Sequence, residues 1–169
     1  MILSGINNSS INANSEKFSL LNSKMFLLAI LAIWIFGFLK PILLSHISIL
    51  TDYFLSTIYS RVCHQVDYKC ITLEHKSMLV CARCAGIYSG ALISIIFMLF
   101  RKMPKLNVKV FIVASLPLLI DVFLTNLNIY NYSQTLAYAT GLVFGGILCL
   151  FFLTELENLF LNKSINRNE

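Results

Sequence analysis

Between Ser60 and Gly90 the chain reads SRVCHQVDYKCITLEHKSMLVCARCAGIYSG. This stretch holds Cys63, Cys70, Cys81 and Cys84, four of the five cysteines, and two of the three histidines, His64 and His75. Cys81 and Cys84 form a C-x-x-C whose spacing puts both thiols on one face if the residues are helical. A helix N-terminus there would present unpaired N–H groups and the positive end of the dipole. Together with Arg83 between them, this favours thiolate over thiol. A thiolate either ligates a soft metal or attacks a disulfide. Three cysteines and a histidine are a zinc ligand set, and Cys63-His64 stands upstream of the pair, so Cys63, His64, Cys81 and Cys84 are the candidate ligands. Cys70 is the alternative to His64, because neighbours in a chain seldom aim at one ion. Two other readings stay open: a structural disulfide outside the cytoplasm, and a thiol–disulfide oxidoreductase using Cys81 and Cys84. His46 and His75 read as ordinary polar residues, and Cys149 as a buried apolar side chain.

The elements that hold these residues are membrane spans. Apolar residues make up 57% of the 169 positions and charged ones 12%, against roughly 45–50% and about 25% in soluble domains. Mean hydropathy is +0.77. The formal charge of +5 comes without a basic patch interleaved with aromatics, so nucleic acid is not a predicted partner. The bilayer is. The expected fold is all-α: an integral membrane bundle of four helices, with a Cys/His-rich segment on the outer face and an interfacial helix.

The predicted spans are residues 25–44, 78–100, 110–127 and 135–153, forming one domain over 25–153. Residues 1–24, rich in Ser and Asn, carry too little apolar surface to fold and are expected to be a disordered tail. Residues 154–169 form a polar C-terminal tail. The first span passes through Lys40, which is expected to snorkel to the surface, and Pro41. His46 to Tyr59 has apolar residues at Ile47, Leu50, Phe54 and Ile58, the spacing of a helix lying in the interface. Between the last two spans, Asn126 to Ser133 is a charge-free loop rich in Tyr and Asn.

Four spans put both termini on one side. That side carries Lys17, Lys24, Arg101, Lys102, Lys105, Lys109, Lys163 and Arg167; the other carries only Arg61, Lys69 and Lys76. The excess of basic residues predicts cytoplasmic tails, with the cysteine-rich segment outside.

Arg83 and Asp121 are the ionisable residues set well within apolar spans. Charges at such depth seek partners, and their depths below the outer edge match, so an ion pair between the second and third spans is expected. Gly86 and Gly90, then Gly141 and Gly145, give small-x-x-x-small faces for close helix packing, within the chain or against a second copy or another membrane protein.

The order C-H-Q followed by C-A-R-C-x-G-I-Y-x-G, here Cys63, His64, Gln65, Cys81, Arg83, Cys84, Gly86, Tyr88 and Gly90, resembles the signature of a family of small prokaryotic membrane proteins known only as a domain of unknown function. Pro117-x-x-x-Asp121 and Thr140-Gly141-x-x-x-Gly145 resemble its later spans. The likeness covers about residues 55–150. It implies a multi-pass protein of the cell membrane with a Cys/His site and supplies no activity. The chain departs from the pattern at Lys69-Cys70-Ile71, where the family usually has Arg-Ser-Phe. It departs again at Ala137, where an Arg is often found, which leaves Arg83 as the intramembrane partner for Asp121.

Overall fold

The computed structural model describes residues 3–43, 49–73, 76–100, 107–127 and 129–165. The chain runs through α1 (Leu3–Leu43), α2 (Ile49–Ser60), a 3-10 turn (Asp67–Lys69), β1 (Cys70–Leu73), β2 (Lys76–Cys81), α3 (Ala82–Phe100), α4 (Val108–Asn126) and α5 (Gln134–Ile165). Four segments are long and apolar enough to cross a bilayer: Leu21–Leu43, Ala82–Phe100, Val108–Asn126 and Gln134–Asn158. The 19-residue helices α3 and α4 each cover about 29 Å at the helical rise, close to the thickness of a hydrocarbon core. Helices satisfy their own backbone groups in lipid, and Phe26, Ile33, Val113 and Phe123 stand exposed on their outer surfaces. The chain is an integral membrane bundle of four helices.

Several boundaries differ from the sequence reading. α1 extends back to Leu3 where composition predicts a disordered tail over 1–24, and α5 continues to Ile165, past the expected end at 153. Once an apolar span has nucleated a helix, each further residue adds one hydrogen bond, so polar flanks can prolong it without a core. The second span loses its first residues: Met78–Cys81 belong to β2, paired antiparallel with β1, and α3 starts at Ala82. A short apolar run such as Met78-Leu79-Val80 fits a strand as well as a buried helix turn. His46, His75, Arg101, Lys102 and Lys105 lie outside the described residues.

α3 and α5 make the tightest packing. A Cβ on Gly86 or Gly90 would collide with the carbonyls of Tyr138 or Leu142, and one on Gly141 or Gly145 with those of Arg83 or Ile87. The two small-residue faces therefore fill one another.

α1 and α2 are tied by two polar contacts. Lys40 does not snorkel away: it is 6% exposed, and its Nζ donates to Asp52 Oδ1 and Thr51 Oγ1, both at 2.6 Å. A cation in the last turn of α1 and an acid in the first turn of α2 suit both helix dipoles. Farther along α2, the buried Tyr59 hydroxyl donates to the Trp34 carbonyl at 2.7 Å. Gly37 makes that possible, because a Cβ there would overlap the hydroxyl. On its other side α2 exposes Leu50, Tyr53 and Phe54, the apolar face of an interfacial helix.

Candidate metal centre

Three elements deliver one thiol each. Cys63 follows α2, where its N–H donates to the Tyr59 carbonyl at 2.9 Å; Cys81 ends β2; Cys84 lies in the first turn of α3. Their Sγ atoms all lie within 4.8 Å of one another. Sulfurs bound to one zinc at about 2.3 Å would stand roughly 3.5–4 Å apart, so small side-chain adjustments suffice. None of the five cysteines is joined in a disulfide.

Cys81 and Cys84 thus do not share a helix face. The C-x-x-C straddles a strand-to-helix junction, and what brings its thiols together is the turn of the chain into α3. Two residues after Cys63, Gln65 takes a left-handed backbone (φ 45°) unusual for a side chain of its size. Its Nε2 donates to the Leu79 carbonyl at 2.8 Å and the Ser56 carbonyl at 3.3 Å, pinning the linker between α2 and β2.

The electrostatics favour thiolate at Cys63. Hydrogen bonds from the Cys81 and Cys84 thiols hold Cys63 well below the ordinary thiol range, against the opposing effect of burial, with the Cys81 and Gln65 N–H groups assisting. The Cys81 N–H lies 3.2 Å from Cys63 Sγ. The site backs onto an apolar cluster of Phe38, Tyr59, Val80 and Ala85, with Trp34 and Tyr88 packed against it. Such walls exclude water and strengthen any charge interaction inside.

Two expected ligands stay outside. His64 is exposed and does not join the cluster, because the turn that buries Cys63 points its neighbour away. Cys70 is buried opposite Cys81 in the hairpin but is likewise not a member of the group. Among the described residues the donor set is three sulfurs.

Beside the thiols lies the ion pair. Arg83 Nη2 and Asp121 Oδ2 are 2.6 Å apart, with the carboxylate 7% exposed. Arg83 is the second residue of α3, not a residue one turn into it, so its side chain reaches inward to Asp121. Tyr130 donates to the other carboxylate oxygen, and Thr125 donates to the Asp121 carbonyl at 2.6 Å. The Arg83 guanidinium also sits over the Tyr132 ring at 5.8 Å. Burial and the nearby Cys81 push the Tyr132 hydroxyl up to about 12, with Arg83 opposing. Gln134, at the start of α5, donates to the carbonyls of Cys70 (2.9 Å) and Tyr68 (3.2 Å), closing the α4–α5 loop over the hairpin.

Sequence reasoning missed the structural roles of Gln65, Tyr130, Tyr132 and Gln134. The available signals were the third position of C-H-Q and the concentration of tyrosines just after the span that carries Asp121.

Comparisons with known proteins agree with this architecture. A family model described as "Predicted membrane protein (DUF2085)" matches residues 63–151, which begins at the first thiol and ends within α5. A protein of Methanocaldococcus jannaschii, named Uncharacterized protein MJ1492, is 28% identical over 103 residues, 59% of this chain and 66% of that protein. This chain therefore spans just under two thirds of that relative's length. No solved structure matches.

Proposed function

The chain belongs to the DUF2085 family of predicted membrane proteins, and from that premise we infer that it holds one zinc ion on the thiolates of Cys63, Cys81 and Cys84 at the membrane surface. The observation that carries this reading is the approach of three sulfurs from three separate elements to within 4.8 Å. Three protein ligands and an open fourth position are the arrangement of zinc sites that exchange a ligand or substrate, whereas purely structural sites close all four positions. The ion would act as a Lewis acid on whatever takes the fourth position. The protein supplies a dry apolar wall and a preset thiolate.

Full-length protein purified in detergent, with and without reductant, is assayed for bound metal and reactive thiols together. The expected result is about one zinc per chain, with three thiols slow to react until a chelator is added. Metal-free protein that gains two thiols on reduction would replace this reading by the thiol–disulfide oxidoreductase using Cys81 and Cys84.

In this reading the site faces outward from a prokaryotic cell membrane and both tails are cytoplasmic; the basic residues of tails and inner loop support this. A green fluorescent protein fused after Glu169 should fluoresce and alkaline phosphatase there should be inactive. The reverse pattern would invert the topology.

A further inference from the structure

A cleft of about 490 Å³ opens beside the ion pair, lined by Tyr68, Lys69, Thr125, Asn126, Tyr130 and neighbouring loop residues. It lies where α4 ends, at the same end of the bundle as the hairpin and so at the bilayer surface. Its lining has a consistent chemistry. Among the described residues that line it, Lys69 is the one charged side chain and none is a carboxylate. The ammonium is held over the Tyr68 ring at 5.2 Å and the Tyr132 ring at 5.7 Å, and no ion pair to it is found among the described residues. Cation–π contact orients an ammonium but leaves its three donors available.

The surroundings do not compete for that charge. The nearby carboxylate, Asp121, is already paired with Arg83 and bonded by Tyr130. The negative end of α4 is covered, since Leu127 N–H donates to the Phe123 carbonyl at 3.0 Å and Ile129 N–H to the Leu124 carbonyl at 3.1 Å. The Asn126 amide adds further donors. A cleft around one prepositioned cation, with the Asn126 and Asn131 amides and no described carboxylate in its lining, suits an oxyanion.

We propose that this cleft binds a phosphate-bearing anion at the membrane surface. The phosphate belongs either to an anionic lipid headgroup, drawn to basic pockets between spanning helices, or to a free phosphate in the adjoining water. The proposal is independent of the metal reading, because none of the three cysteines lines the cleft.

The test uses the full chain in detergent, with phosphatidylglycerol, phosphatidylcholine and inorganic phosphate as probes and native mass spectrometry and thermal midpoint as readouts. Lys69→Gln removes the charge while keeping a polar side chain of similar length; Lys109→Gln, at the exposed start of α4, controls for net charge. The native chain and Lys109→Gln should retain phosphatidylglycerol over phosphatidylcholine, and Lys69→Gln should bind it about fivefold more weakly, the effect of one basic residue near a lipid phosphate. If inorganic phosphate instead raises the midpoint of the native chain but not of Lys69→Gln, without a lipid preference, the site belongs to free phosphate. Equal losses in both lysine variants, or no Lys69-dependent binding of either probe, overturns the proposal. Unchanged metal content in Lys69→Gln separates this outcome from any failure of the metal site.

Discussion

Cys63→Ser, Cys81→Ser and Cys84→Ser are each expected to strip the metal from the purified protein, while His64→Ala and Cys70→Ala keep it. The three sulfurs form one group, so a zinc left with two thiolates loses a full ligand. Changing even an outer-shell partner of a metal ligand typically costs 10–100-fold in affinity, so losing a ligand should exceed roughly 100-fold. The consequence reaches stability. The ion would join the segment after α2, the end of β2 and the start of α3, and an ion bound only by the folded state stabilises it. A chelator should therefore lower the thermal midpoint of the native chain and of His64→Ala, yet leave the three serine variants unmoved. Retention of metal by Cys63→Ser would break the shared site apart. Loss of metal in His64→Ala would restore the histidine as a ligand.

Arg83→Ala and Asp121→Ala should each destabilise the bundle severely, and the double variant should recover much of the loss. The pair is short and Asp121 is almost sealed from outside. Removing one partner of such a pair strands the other charge at a cost of about 3–5 kcal/mol, whereas removing both strands neither. Asp121→Asn should fall between, since it keeps a hydrogen-bonding side chain for Tyr130 but leaves the guanidinium unbalanced. Unfolding in detergent across the four proteins measures the coupling directly. Strictly additive losses would mean that the two side chains do not share a state in solution.

The class of protein, the spans and the key thiols were legible in the sequence because each rests on local information. Hydropathy over some twenty residues defines a span whatever its neighbours do. Cysteines clustered in a chain poor in charged residues mark the chemistry by type alone. Arg83 and Asp121 were recognisable as partners because a charge in an apolar span has few ways to be satisfied. The small-residue spacing marked Gly86, Gly90, Gly141 and Gly145 for close approach, but not that α3 and α5 would use those faces on each other.

Only the tertiary structure decided the donor set and the shape of the site. Met78-Leu79-Val80-Cys81 are apolar enough for either a helix or a strand, and the choice fell to the pairing of β2 with β1, a contact absent from local periodicity. That pairing moved the start of α3 to Ala82 and separated Cys81 from Cys84 by a junction, and in the linker before it Cys63 is buried while His64 is exposed. Lys40 found Asp52 and Asp121 found Tyr130 in the same way, across turns between successive segments that local periodicity does not define. Span and residue type are properties of a window, but which side chains meet depends on how separate windows pack, and packing is a property of the whole fold.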